Sequence, residues 1–429
     1  MVSTDADTGE GSFREAIEKA SVDSEVERIA FMANVETVEL ASSVEYSGSQ
    51  DLVIFGRGAT LTTTEETAGT IDLLVSNGDA NLRIREMAFS GGAKGIYAPI
   101  SDAATETIHF HFHSVSVQDN ALFGIHLDDQ SNDSDASLRM MMRDSTVKGN
   151  GTGEIDFDGV RIDEGGLGDI QARVVNSIID ENGGDGLELD ERGDGDVRMF
   201  TKDSSYNGNG FFNEEDLDDG LDIDEADDGD LWFRAAETTF NDNHDQGIDL
   251  DEEQEGSTRV HLFKVTANNN LAEGIKVDEK FDDDSTDSSG NLFINFIQVT
   301  ASLNESEEGI SLSEEGLGNL ISHFVKVTTN ENGKEGIDVE ESGDGNLKIG
   351  ILHSESSSNG DDGIELTELG VGRFIGITNK ITANSNAGLG LDLTQEIGIA
   401  ADWGRLKLGS SDLSGNTDGE FETDGVTVK

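Results

Sequence analysis

Two sets of residues in this chain have types and spacings that could do chemistry. The first is acidic. A short phrase of glycine, aliphatic, polar, aliphatic, acid, acid recurs from Gly124 (GIHLDD) to Gly390 (GLDLTQ). Four residues after the glycine come Asp128, Asp163, Asp190, Asp224, Asp251 and Asp278, with Glu340 further on. Five after it come Asp129, Glu164, Glu191, Glu225, Glu252 and Glu279, then Glu314, Glu341 and Glu368. Two after it stand Glu188, Asp222, Asp249, Asp338, Glu365 and Asp392, interrupted by His126, Arg161, Lys276 and Ser311. Carboxylates stacked about 5 Å apart repel by roughly 1 kcal/mol per pair in water. They require compensation from cations, raised pKa values or salt. Oxygen-rich sites of flexible geometry suit calcium. Several structural Ca²⁺ ions are therefore expected between adjacent coils, strongest over Asp163–Glu279. The expected ligands are Asp128, Asp163, Glu164, Asp190, Glu191, Asp222, Asp224, Glu225, Asp249, Asp251, Asp278, Glu252 and Glu279. The competing reading is halophilic solvation, in which the acids simply cover a surface in a salty habitat.

The second set is basic and apolar. A strand that follows each phrase has outward residues without a single Asp or Glu over thirty positions, where roughly six are expected from 90 acids in 429 residues. Its candidate contact residues are Arg139, Arg143, Arg173, Arg198, Phe200, Lys202, Trp232, Arg234, Arg259, His261, Phe263, Phe293 and His323. Three readings compete for this stripe, about 50 Å long at ten strand spacings. One is a protein interface, with another copy of this chain or another surface protein. A basic face meeting an acidic face would be heterologous and could build filaments. Another is a groove for an anionic polysaccharide, with Trp232, Phe200 and Phe263 as sugar platforms. In the third, insertions such as Phe211–Asp219 and Phe281–Gly290 fold over the sheet. His109, His111 and His113 share one face of that strand. Alternating histidines can bind zinc or nickel, but stacked polar residues are the simpler reading.

The elements that position these residues follow from the repeat. The phrase glycines are spaced 35, 27, 34, 27, 27, 35, 27, 27 and 27. A fixed period of this size means stacked supersecondary units. Within each unit the aliphatic residues alternate with period two, so the elements are strands. Every residue one and three after the glycine is Ile, Leu or Val, as in Ile125 and Leu127 or Leu391 and Leu393. A second strand begins eleven residues on, for example at Ile170, Leu231 and Leu347, and a shorter polar strand follows, as in Val265-Thr-Ala-Asn268. Three strands and three turns per 27 residues make one coil of a parallel β-helix. The expected fold is thus all-β, a right-handed parallel β-helix solenoid with a short N-terminal capping helix. Asn182, Asn243, Asn270, Asn332, Asn359 and Asn386 precede the glycine by four and read as a structural asparagine ladder.

On these repeats the chain resembles the pectate-lyase-like parallel β-helix superfamily. Asp7-Thr-Gly-Glu-Gly-Ser-Phe-Arg-Glu-Ala-Ile17, with Ile29-Ala-Phe31 and Leu52-Val-Ile-Phe-Gly56, is similar to the CSLREA-type region that begins many bacterial and archaeal surface proteins. The cysteine of that region is absent and Phe13 stands where leucine is common. The resemblance implies an amphipathic helix over about Ser12–Ala20, closing the bore with Ala16, Ile17 and Ala20, and an extracellular or cell-surface setting. The expected boundaries are a cap over 1–45, the β-helix over 46–400 and a C-terminal stretch over 401–429.

Composition sets the outer limits. A net charge of −62 argues against nucleic acid as a partner bound through a general basic surface. Without cysteine there are no disulfides, zinc thiolates or thiol catalysis. No apolar run is long enough for a membrane span, and no signal peptide is visible after Met1. Arg161 and Lys276 could be cast as lyase bases beside calcium; the simpler reading is that they neutralise acids in neighbouring coils. The main functional reading is a non-enzymatic, calcium-stabilised surface or adhesive protein that self-associates. The alternative is a β-helix protein that binds or cleaves anionic polysaccharide.

Overall fold

Strand propensity is carried by Ile, Leu and Val at alternate positions, and glycine and asparagine punctuate the turns between them. The computed structural model shows how these pieces wind, and it describes residues 1–131, 133–154, 157–212, 217–280, 290–396 and 404–429. The chain is a right-handed parallel β-helix. Its contacts divide it into two compact units, Met1–Asp222 and Ile223–Lys429. Each unit is built from the same two parallel sheets. The acid sheet carries the phrase strands, and the bare sheet carries the second strands.

In Met1–Asp222 the acid sheet stacks Val44–Tyr46, Leu74–Ser76, Ile96–Pro99, Ile125–Asp129, Val160–Glu164 and Leu187–Glu191. Its bare sheet includes Leu52–Thr63, Leu82–Ser90, Ile108–Gln118, Leu138–Arg143, Ile170–Val175 and Val197–Lys202. In Ile223–Lys429 the acid sheet runs from Ile248–Glu253 to Gly419–Asp424. The bare sheet there runs from Leu231–Ala236 to Val426–Val428. Phrase residues pair in register, Val160 with Leu187 and Ile337 with Ile364, so the aliphatic columns stand above one another. Their members are buried.

Among the described residues, helical pairing is confined to Phe13–Val22. Ser12 caps it by accepting the Glu15 N–H at 3.1 Å. Phe13, Ala16, Ile17 and Ala20 are buried, with Phe13 5.2 Å from Phe31. Regular coil pairing begins at Arg28, which pairs with Val53, and reaches Val428. Residues 397–403, at the start of the expected C-terminal stretch, lie outside the described residues.

The asparagine ladder forms and is longer than the spacing suggested. In the first unit Asn120, Asn150, Asn182 and Asn209 donate side chain to side chain at 2.8, 3.0 and 3.0 Å. In the second, Asn243, Asn270, Asn304, Asn332, Asn359, Asn386 and Asn416 do the same at 3.0–3.2 Å. The ladder explains the phrase glycine. A Cβ on Gly274 would stand 2.6 Å from Asn304 Nδ2, so no larger residue fits beneath the next asparagine.

Candidate functional site

The acid sheet follows strand alternation strictly. Residues one and three after the glycine point into the bore, and residues two and four face outward. Alternation also decides the fifth position, and here the structure corrects the expectation of a surface paved with carboxylates. Glu164, Glu191, Glu225, Glu252 and Glu279 turn inward and are 0–1 % exposed. The oxygens of Glu164, Glu191 and Glu279 accept backbone N–H groups of nearby turns and strand starts. Glu164 takes those of Gly166 (3.1 Å) and Gly168 (3.2 Å), and Glu279 those of Gly290 (2.7 Å) and Thr258 (3.1 Å). A carboxylate serves here because the chain needs an acceptor where a strand ends without one. Burial raises the pKa of Glu164, Glu252 and Glu279, and the neighbouring Glu279 pushes Glu252 up further.

The outward acids are met by fixed cations. Arg161 reaches Asp163 at 2.7 Å, Glu188 at 2.5 Å, Asp190 at 3.1 Å and Asp158 at 3.6 Å. Arg192 also holds Asp190. In the second unit Lys276 lies 2.8 Å from Asp249 and 3.7 Å from both Asp251 and Asp278; Lys280 adds 2.9 and 3.4 Å contacts to the last two. Two of the interruptions in the acidic column, Arg161 and Lys276, are thus its counter-charges. Asp222 and Asp224 are partly exposed on their strand.

A denser network sits at the start of the ladder. His126 is 5 % exposed, with Nε2 2.7 Å from Asp163 and Nδ1 2.9 Å from Lys94 Nζ. Lys94 stands 3.6 Å over the Tyr97 ring, and Tyr97 donates to Asp128 at 2.8 Å. Burial lowers the Lys94 pKa, and the carboxylates of Asp72, Asp128 and Asp163 offset part of that shift. Burial pushes the Asp163 carboxyl upward, but His126 and Arg161 outweigh it and hold it low. Among the described residues, three carboxylate or histidine clusters that lie within a single unit bring ligand atoms within 4.8 Å of one another: His126/Asp128/Asp163, Asp158/Asp185/Glu188 and Glu273/Glu307/Glu308. In each, a basic side chain already stands among the oxygens: Lys94 and Arg161, Arg161 again, and Lys334.

The bare sheet keeps its expected polarity. In the first unit its outward residues form three columns. One reads His109, Arg139, Gln171, Arg198; the second His111, Met141, Arg173, Phe200; the third His113, Arg143, Val175, Lys202. The structure adds one coil that sequence reasoning missed, placing Arg83 against His111 and Arg85 against His113. Leu82-Arg-Ile-Arg shows the same alternation as the other second strands. It went unread because the strand before it, Leu74–Ser76, lacks both the phrase glycine and the paired acids that mark the repeat.

Acids touch this face only at its margins. Arg198 meets Asp169 at 3.1 Å and also contacts Asp196; Arg143 meets Asp144 at 3.1 Å and Lys202 meets Asp203 at 3.0 Å. Arg83, Arg85, Arg139 and Arg173 form no ion pair among the described residues. Arg173 stacks 4.5 Å over the Phe200 ring. Three shallow depressions of about 370, 250 and 350 Å³ lie along the columns. Arg83 and the histidines line the first, Arg85 and Arg143 the second, and Arg139, Arg173 and Arg198 the third.

In the second unit the same sheet is more apolar. Trp232, Arg259, Phe293 and Ile321 share a column, as do Arg234, His261, Asn295 and His323, while Ala236, Phe263, Ile297 and Val325 form a third. Arg259 lies 5.8 Å from the Trp232 ring centroid and 5.2 Å from that of Phe293. Ile375 and Ile377 are 50 % and 44 % exposed. Of the insertions expected to cover the sheet, residues 213–216 and 281–289 lie outside the described residues. Phe211 and Phe212 are exposed.

No family model matches the chain, and no curated protein sequence matches it. Among solved structures, the chain is similar to the A-module of mannuronan C-5 epimerase AlgE4 from Azotobacter vinelandii. That match has 12% identity over 99% of this chain and 97% of the other, with a TM-score of 0.46. The A-module of AlgE6 from the same organism gives 11% identity over 99% and 97%, with a TM-score of 0.40. Pectate lyase Pel9A gives 12% identity over 97% and 73%, with a TM-score of 0.27.

Proposed function

We propose that the protein binds an acidic polysaccharide along the bare sheet of Met1–Asp222. One observation carries the reading: Arg83, Arg85, Arg139 and Arg173 stand in register on one carboxylate-free face, without acidic partners, in a chain of net charge −62. Guanidinium groups without acidic partners, in a chain so rich in carboxylates, are groups held for a ligand. The planar guanidinium fork recognises carboxylate or sulfate oxygens with two parallel hydrogen bonds. A linear polymer fits because the depressions are shallow and run from coil to coil about 4.8 Å apart. The Phe200 ring under Arg173 offers an apolar surface for a sugar face.

Duplex nucleic acid fits poorly. It carries one charge per about 1.7 Å, and the acids of this chain would repel it strongly. A glycan with one anionic group per sugar carries far less charge per unit length. Such polymers belong outside the cell, and an extracellular or surface location goes with this proposal.

Isothermal titration against polygalacturonate and dextran, in a salt series from 0.1 M upward, tests the reading. The expected result is binding of the polyuronate alone, weakening as salt rises. Arg83→Gln with Arg173→Gln should weaken it at least about tenfold, the loss of two charge-assisted contacts. Equal binding to dextran, or full affinity in the double variant, would overturn it.

The bare sheet of Ile223–Lys429 favours a protein partner instead. Its exposed Ile375 and Ile377 lie on the same sheet face as Ile321 and Phe293, with Lys348 between Ile321 and Ile375, and no carboxylate lies among its outward residues. We propose that this face mediates association with another protein or another copy of the chain. Sedimentation of Ile377→Asp against the native chain should show loss of any assembly.

A further inference from the structure

We infer that His109, His111 and His113 form a proton-dependent anion subsite at the middle of the arginine columns, so that acidic polysaccharide binds with uptake of protons. This rests on the binding role assigned above to the same sheet. The three histidines lie on the strand Ile108–Gln118, flanked by one arginine-bearing strand on each side. From Leu82–Ser90, Arg83 faces His111 and Arg85 faces His113. From Leu138–Arg143, Arg139 faces His109, Met141 faces His111 and Arg143 faces His113.

The acids in reach are few. Asp144 lies 3.8 Å from His113 but is shared with Arg143 at 3.1 Å, and Asp51 lines the depression beside His109 while accepting from Asn81 at 2.9 Å. Asn81 in turn accepts the His109 backbone N–H at 2.7 Å, which fixes the strand's entry. The rings are partly exposed, and His109 and His111 lie 6.1 Å apart.

Without a ligand, this surrounding opposes protonation of His111. Burial lowers the His111 pKa, and Arg83, His109 and Arg85 lower it further. An anionic polymer reverses the balance. Its carboxylates neutralise the arginines and give each imidazolium an acceptor, so binding favours the charged form. By reciprocity, lowering the pH strengthens binding. The row thus divides the columns into permanently charged arginines and a conditional centre, which suits a protein that releases its ligand as the medium turns alkaline.

The test is titration of polygalacturonate into the full chain at pH 5.5 and pH 7.5, at constant ionic strength, in two buffers of different ionisation enthalpy. The expected result is affinity about tenfold higher at pH 5.5, with the apparent heat differing between buffers as protons are taken up. In His109→Gln/His111→Gln/His113→Gln the pH effect should collapse below twofold while binding at pH 7.5 persists. His323→Gln, on the sheet of the other unit, serves as a control for general acid titration and should keep the full effect. Circular dichroism checks that each variant is folded. A native chain that binds equally at both pH values overturns the inference and leaves the binding role standing. A triple variant with the native pH effect overturns it too. A native chain that binds at neither pH overturns the binding role itself.

Discussion

Glu368 and Gln395 occupy the same place in successive coils and make the same hydrogen bond. Glu368 Oε2 accepts the Leu347 N–H at 2.7 Å, and Gln395 Oε1 accepts the Phe374 N–H at 2.7 Å. The two are register partners, and below them stand Glu341, Glu314, Glu279 and Glu252, each 0 % exposed. A neutral amide at one end of the column makes the bond that Glu368 and Glu279 make within it. Burial raises the pKa of Glu341 and Glu368, and Glu368 pushes Glu341 up further. Burial and the stacked neighbour thus favour the protonated form at Glu341.

Glu341→Gln should mimic the protonated acid permanently. Because the folded pKa lies above the unfolded one, the native column is most stable at low pH and loses stability as pH rises. The variant is expected to melt several degrees above the native chain at pH 9 and together with it at pH 4.5, read by differential scanning calorimetry. Glu341→Leu, which removes the polar contacts altogether, should melt lower at both.

Asp338 and Glu365 are register partners on the outward face, each raised to about 7 by burial and then by the next acid along, Glu365 for Asp338 and Asp392 for Glu365. Their contribution to stability is full below about pH 4 and falls away as pH rises through 7. Asp338→Asn should flatten the melting profile of the native chain between pH 5 and pH 8. Added salt should narrow the gap by screening. An unchanged profile would place these carboxyls in ordinary solvent.

Asn332 accepts the Asn304 N–H (3.1 Å) and side chain (3.0 Å) and donates to Asn359 at 3.1 Å. Asn332→Ala strands these buried groups. At roughly 1–3 kcal/mol for each buried polar group left without a partner, a loss of about 3 kcal/mol in urea unfolding is expected. Asn332→Asp keeps the acceptor but loses the donor and should fall between.

Arg161 serves four carboxylates at 2.5–3.6 Å. Removing one member of a buried charged network costs about 3–5 kcal/mol. Arg161→Gln should destabilise the first unit by that order, with partial rescue in molar salt. If calcium sits in this ladder, chelation should lower the native melting temperature as well. A chelator without effect on the native chain would leave Arg161 as the sufficient counter-charge.

Much of this molecule is written in one dimension. The aliphatic columns of Ile125 and Leu127, or Ile337 and Val339, follow from period-two alternation, and their stacking follows from the 27-residue spacing of the phrase. The carboxylate-free face was legible for the same reason, since alternation alone assigns Arg139, Arg173 and Phe200 to the outside. The corners of the coil were not. Asn176, Lys264, Gln298, Lys326 and His353 adopt φ of 51–59° at the bend after the second strand. No residue preference marks that left-handed turn, because the stacked coils impose it.

The sequence by itself determined the coil, its inward columns, its asparagine ladder and the polarity of its sheets, because each depends on spacing along one strand or one repeat. Tertiary structure decided which charges meet. Whether Glu164 faces water or the bend, and whether Arg161 reaches Asp190 in the next coil, depends on distances between residues far apart in the chain. Electrostatic energy falls with separation in space, and only the wound coil fixes that separation.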